Sequence, residues 1–294
     1  MCGWTFTMMA VCGELCQTTT YEKTVRKLLG KPGYYLVIIC TILFPISSAI
    51  AYGITIAANL QSFFMGIFPE YFFYKNRALL MIIPYYFIIF PLTLVKDMKF
   101  LERFSTFSMI LVLFYVCTIF WKLNSIPYEI QTLPGTFVFG KLTAFKALPV
   151  FAFACSCHHN VISFYKSLKD RSINNFVISK NIAFNFSFVL YIAVAISGFI
   201  TFGGQPLDNI FENYCSNDIL MNITRLIFTV TLLLTSPLQL FAPRQVITQN
   251  VLVKFCHSKW IHAVITFILI SVCYVTVVLI DNIGMVIEIG GAIT

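Results

Sequence analysis

Apolar residues gather into long runs along this chain, separated by short polar stretches rich in charges and turn residues. Reading each run between its flanks gives full spans near 34 to 66, 78 to 95, 105 to 121, 144 to 164, 182 to 202, 221 to 242 and 260 to 280. One helix needs roughly 20 apolar residues to cross about 30 Å of hydrocarbon, and the runs are of that size or longer. The pattern predicts an all-α polytopic membrane protein, because a lipid-exposed backbone must satisfy its polar groups internally. Two shorter runs flank these seven. Met1 to Cys16 lacks a basic leader and a small-residue cleavage site, so it reads as the tail of an earlier span (1-16) rather than a signal peptide. Ile283 to Thr294 reads as a second partial span (283-294), and residues 1-294 as one partial transmembrane domain. No short-period repeat is visible, which sets aside solenoids and arrays.

Composition sharpens this reading. The chain is 59% hydrophobic and 11% charged, whereas soluble domains carry roughly a quarter charged residues. A single water-soluble core is excluded. Six of the ten cysteines, Cys12, Cys40, Cys117, Cys155, Cys157 and Cys273, fall within apolar runs and read as small packing residues rather than a disulfide framework. The net charge of +8 raises nucleic acid as a partner, but no Lys/Arg cluster has the length of a nucleic-acid patch. The charges sit between apolar runs, where the lipid bilayer is the partner they imply.

Their distribution orients the chain. Lys23, Arg26, Lys27, Lys31, Lys96, Lys99, Arg103, Lys166, Lys169, Arg171, Lys180, Arg244, Lys254 and Lys259 fall on one side; Lys75, Arg77, Lys122, Lys141 and Arg225 fall on the other. The positive-inside rule places the connectors Gln17 to Pro32, Lys96 to Arg103, Lys166 to Asn181 and Arg244 to Lys259 in the cytoplasm. Asn222-Ile223-Thr224 is then an outer glycosylation sequon. Against modification stands the closeness of Asn222 to the next span.

Candidate chemistry begins with polar residues inside spans, because each is costly unless it faces a cavity or a partner. The span 144 to 164 holds Pro149 and the run Cys155-Ser156-Cys157-His158-His159-Asn160. Pro149 is expected to kink the helix. The polar run has the character of a discontinuous helix whose freed backbone groups hold a substrate at mid-membrane. The other reading ends the apolar stretch with interfacial histidines. A zinc site is set aside, because adjacent helical residues point about 100° apart and cannot converge on one ion. In the span 221 to 242, Thr235, Ser236 and Pro237 allow two readings. Hydroxyls can satisfy carbonyls freed by the proline, or Thr235 can offer an oxygen to a small hard cation. Tyr52 and Asn59 are weaker candidates, as is Glu288. No nucleophile and base pairing, phosphate loop or cofactor fingerprint is visible, so the chain does not read as an enzyme.

Several stretches carry a family resemblance. Phe151-Ala-Phe-Ala-Cys-Ser-Cys-His-His-Asn160 with Tyr165-Lys-Ser-Leu168, Phe211-Glu-Asn-Tyr-Cys215, and Leu234-Thr-Ser-Pro237 with Arg244 resemble the amino acid/auxin permease superfamily. Within it they are most similar to the sodium-coupled neutral amino acid transporters; Thr18-Thr-Thr-Tyr21 and Gly30-Lys-Pro-Gly33 resemble that group's loop between its second and third helices. The resemblance covers nearly the whole chain in order. It implies a five-plus-five inverted-repeat fold of eleven helices, broken first and sixth helices around the substrate, and secondary transport of neutral L-amino acids coupled to Na+ or H+. In that register, the spans 34 to 66, 144 to 164 and 221 to 242 are the third, sixth and eighth helices. Phe153, Cys157, His158, Asn160 and Tyr52 are the implied substrate-binding residues, and Thr235 the implied ion ligand. The membrane implied is the plasma or an endolysosomal membrane.

Two departures matter. Where the pattern has Phe-Ala-Phe before its Cys-His, this chain has Phe153-Ala154-Cys155, a smaller side chain that would widen the pocket. The implied first helix is absent and the last two are incomplete or absent, so the 294-residue chain alone is expected not to transport. A transporter-like amino acid sensor or a non-functional truncated product stands as the alternative. A seven-span receptor is disfavoured, because the basic segment Lys23 to Lys31 puts the wrong end inside and no Asn-Pro-x-x-Tyr occurs in the last span.

Overall fold

The computed structural model describes residues 2–18, 20–68, 73–95, 98–124, 145, 147–202, 207–251 and 259–293. Lys96, Lys141 and Lys254 of the charge count lie outside the described residues, as does the start of the span 144 to 164. All regular structure among the described residues is helical: α1 (Cys2–Leu15), α2 (Tyr21–Ile67), α3 (Arg77–Leu94), α4 (Met98–Asn124), α5 (Ala147–Cys155), α6 (Val161–Ser167), α7 (Ile173–Phe202), α8 (Ile219–Val246), α9 (Lys259–Leu279) and α10 (Ile283–Ile293). Seven segments are long and apolar enough to cross a membrane: α2, α3, the 106–123 part of α4, α5 together with α6, α7, α8 and α9. The chain is a multi-pass, all-helical membrane protein.

The segment after α1 differs from its expectation as a connector. Gln17 takes a positive φ of 51°, and the Gln17 and Thr18 amides donate back to the Glu14 and Gly13 carbonyls at 3.0 and 3.1 Å. This pair of bonds closes the helix end as a left-handed C-terminal cap. Lys27 Nζ adds a bond to the Cys16 carbonyl at 2.7 Å. The chain is then helical again from Tyr21, because Glu22, Thr24 and Val25 are buried while Arg26 and Lys27 stay exposed. A short amphipathic helix therefore carries part of the basic charge. Gly30 interrupts it with φ 72° and ψ −159°, a conformation that side chains resist, and Pro32 lies just inside the restart, where its missing amide costs nothing. Residues 31–67 then run for roughly 55 Å at about 1.5 Å per residue, longer than the hydrocarbon layer.

α2 and α8 form the central pair, and α9, α10 and α3 pack around them. Ile54, Ala57, Tyr85, Leu232, Leu240 and Val277 fill their common core. Gly53 makes the approach possible: a Cβ there would overlap the Tyr85 hydroxyl and stand 2.6 Å from Val277 Cγ2. Close packing through small residues is how membrane helices associate when lipid supplies no hydrophobic drive. Two satellite clusters complete the bundle, one joining α1, α6 and α7 through Phe6, Val161, Tyr165 and Phe176, the other joining α4 to α8 through Ile119, Phe211, Tyr214 and Met221. Much of α7 is outward-facing, with Ile178, Ile182, Phe188 and Val189 exposed, as a lipid-facing helix requires.

Loops sort onto two ends. Glu14, Gln17, Lys166 and Arg171 line one cavity, and Tyr21, Ser163 and Gln249 another; at the opposite end Met65, Lys75, Glu212 and Asp281 share a third. The described parts of the connectors Gln17 to Pro32, Lys166 to Asn181 and Arg244 to Lys259 thus lie at one end of the bundle.

Candidate functional site

The apolar run 144 to 164 is two helices. α5 stops at Cys155, Ser156 and Cys157 leave helical geometry (Cys157 φ −139°, ψ 27°), a single tight turn spans His158–Asn160, and α6 resumes at Val161. The break lies at Ser156 and Cys157 and not at Pro149, which sits in the first turn of α5 where no hydrogen bond is lost. Weak bonds bridge the interruption, from the Ser156 amide to the Phe153 carbonyl at 3.3 Å and from the Asn160 amide to the Cys157 carbonyl at 3.0 Å. Small residues with their own polar groups let the backbone turn there.

The two adjacent histidines of this turn face different neighbours. His158 Nε2 is 2.9 Å from Thr5 Oγ1 on α1, and its ring meets Phe6 edge-on at 4.5 Å. His159 turns toward α2, its ring 5.8 Å from that of Phe44, and its Nε2 is buried without a hydrogen-bond partner among the described residues. Asn160 and His159 line a polar cavity of about 20 Å³ with Glu22 and Thr41 of α2 and Gln245 beyond it on α8. That volume admits roughly one water.

The expected substrate residues therefore divide among three surroundings. Phe153 packs with the central core, its ring 5.4 Å from Phe44 and close to Gly290 of α10. Tyr52 joins the same core from α2 and accepts a hydrogen bond from Gln239 Nε2 at 3.3 Å. Cys157 and His158 face the α1, α6 and α7 cluster, while Asn160 looks into the polar cavity. Phe44 is the meeting point, since it touches both Phe153 and His159.

Thr235 lies one turn before Gln239 on α8. Its hydroxyl is within donor distance of the Thr231 carbonyl at 2.9 Å and the Leu232 carbonyl at 3.3 Å. Thr55, Thr93, Thr231 and Thr266 make the same backward bond, the usual way a hydroxyl is accommodated in an apolar helix. The donated proton leaves the oxygen lone pairs of Thr235 available to a cation.

Sequence reasoning passed over Phe44, and gave His159 and Gln239 no role beyond membership of polar runs. His159 was visible only as one of two adjacent histidines, and their spacing carries no information about which helix each will meet. Among the described residues no group of three or more His, Cys, Asp or Glu side chains is placed to hold a metal.

Asn222, the sequon residue, is buried at the other end of the bundle. Its Nδ2, the atom a glycan would occupy, donates to the Ser216 carbonyl at 2.5 Å, and its Oδ1 accepts from Arg225 Nη1 at 2.6 Å. Arg225, 1% exposed, also donates through Nη2 to the Phe211 and Tyr214 carbonyls at 2.8 and 2.6 Å. It is therefore a buried tie between α8 and the turn before it rather than a charge in the loop.

Comparison with known proteins adds to this geometry. Residues 1–294 match the family described as transmembrane amino acid transporter protein, a family of carriers and not of enzymes. The human protein named "Putative sodium-coupled neutral amino acid transporter 11" is 31% identical over 284 residues, covering 96% of this chain and 70% of its own. The cattle protein of the same name is 30% identical over 282 residues, covering 95% and 60%. The yeast protein named "Vacuolar amino acid transporter 2" is 26% identical over 306 residues, covering 99% and 64%. The chain thus spans between 60% and 70% of the length of these relatives.

Proposed function

The chain belongs to the transmembrane amino acid transporter family, and we propose that it holds a neutral L-amino acid at the break between α5 and α6 for cation-coupled movement across a membrane. The observation that carries this reading is the interrupted helix itself. Ser156 and Cys157 take the backbone out of helical geometry between α5 and α6, and the adjoining His159 keeps a buried nitrogen without a partner among the described residues. Backbone that is non-helical at membrane depth persists where it is shielded by protein or lines a cavity, and carriers use such breaks to bind substrate.

In this reading Phe153 and Tyr52 border the apolar side of the substrate. Cys157, His158 and Asn160 supply its polar contacts, and Thr235 contributes an oxygen to the coupling cation. The names of the human and cattle relatives favour sodium as that cation.

Equilibrium binding of tritiated L-alanine to the purified chain in lipid nanodiscs tests the site. Asn160→Ala is expected to weaken binding by about tenfold, the effect of removing one hydrogen bond in a water-poor site. Wild-type affinity in this variant and in Tyr52→Phe would remove the helix break from the substrate site. The cation is tested separately. If Thr235 is a sodium ligand, replacing sodium by choline weakens alanine binding in the wild type but changes nothing in Thr235→Ala; an equal sodium response in both confines Thr235 to its backward hydrogen bond.

A further inference from the structure

The cavity shared by Met65, Lys75, Glu212 and Asp281, of about 690 Å³, opens at the end of the bundle away from Asn160. Ile54 and Val278 form part of its apolar wall, and Lys75, Arg77, Glu212 and Asp281 bring charges of both signs to it. Arg77 is the unusual member. Its side chain is 14% exposed and pairs through Nη1 with Asp281, whose side chain is 84% exposed. Its Nε and Nη2 are buried and make no hydrogen bond among the described residues. These two nitrogens share one edge of the guanidinium, where their parallel N–H groups match the two oxygens of a carboxylate.

An ion pair whose acid is this exposed is loosely held. A ligand carboxylate replacing Asp281 would regain that interaction at Nη1 and, with its second oxygen, could also take Nη2. Glu212 provides the opposite charge on the same cavity. It is exposed, and its Oε1 accepts from Asn209 Nδ2 at 3.3 Å. The same Asn209 amide reaches Asn59 Oδ1 on α2 at 3.3 Å, so a polar path leads from the cavity wall into the bundle.

We propose that this cavity is a second binding site for a zwitterionic α-amino acid, with Arg77 taking the carboxylate, Glu212 the ammonium, and Ile54 and Val278 the side chain. Its volume lies within the range of about 300 to 1,000 Å³ typical of small-molecule sites. The choice of an amino acid over another zwitterion rests on the transport reading above. Lys75 at the same wall makes a simple anion the competing ligand.

The test uses the purified full chain in nanodiscs, with tritiated L-alanine as probe and unlabelled alanine amide, N-acetylalanine and acetate as competitors. Wild-type protein is expected to bind alanine at two sites. Arg77→Gln loses one of them while Asn160→Ala keeps it. Arg77→Lys, which preserves the charge and the fold but not the fork, weakens that site by on the order of tenfold. Glu212→Gln weakens it similarly, and neither the amide nor the N-acetyl compound displaces alanine there. Two-site binding unchanged in Arg77→Gln, Arg77→Lys and Glu212→Gln overturns the inference and leaves the helix-break site standing. A site that survives Asn160→Ala and is lost in Arg77→Lys supports the cavity even if no binding traces to the break. Displacement by acetate as strong as by alanine overturns the zwitterion assignment in favour of an anion site, and absence of any alanine binding overturns the proposal.

Discussion

Replacing Arg225 by methionine is expected to destabilise the chain severely, by on the order of 4 kcal/mol. The guanidinium donates to the carbonyls of Phe211, Tyr214 and Cys215 and to Asn222 Oδ1, and the residue is 1% exposed. Each buried acceptor left without its donor costs about 1–3 kcal/mol, and methionine fills a similar volume without replacing any donor. Thermal unfolding in detergent should show a midpoint lowered by roughly 10 °C, taking a few degrees per kcal/mol for a chain of this size. Arg225→Lys is expected to recover only part of the stability, because one ammonium cannot span acceptors arranged for a fork. A midpoint within a degree or two of wild type would mean that Arg225 does not hold the turn before α8.

Gly291→Ala should produce the second large effect, through steric overlap rather than hydrogen bonding. A Cβ at this position would overlap the backbone of Pro149, so helix α5 must move away from α10. Overpacking of this kind costs about 1–3 kcal/mol, more where the obstructing atom is backbone and cannot rotate aside. Gly3→Ala is the matched control, since its Cβ would meet only the end of the Lys180 side chain at 3.7 Å. A thermal midpoint several degrees lower is expected for Gly291→Ala and no change for Gly3→Ala. Because α5 carries Phe153, whose ring already lies against Gly290, alanine binding should weaken along with stability. Equal midpoints for the two variants would contradict the close approach of α5 and α10.

Much of the architecture was legible before the fold. The span 182 to 202 lies inside α7, 221 to 242 inside α8, and 260 to 280 nearly coincides with α9, because a helix that must cross lipid declares itself through an unbroken apolar run. The segment around Lys23 was less legible. Its basic residues read as a connector, yet Glu22, Thr24 and Val25 bury one face and make it helical. Pro149 was expected to interrupt its helix, but proline in a first turn interrupts nothing; the break falls just past Cys155, where Ser156 and Cys157 turn the backbone.

The sequence alone determined that this chain is a multi-pass helical protein, through the length of its apolar runs, and that polarity concentrates around residues 155–160. Those are local properties of the chain, written in consecutive residues. Only the tertiary structure decided that His158 meets Thr5 while His159 faces Phe44, that the Asn222 amide is taken up by Ser216 and Arg225, and that Arg77 keeps an unbonded edge among the described residues. Each depends on what a distant helix presents across a gap of a few ångströms, and no spacing within one run encodes that.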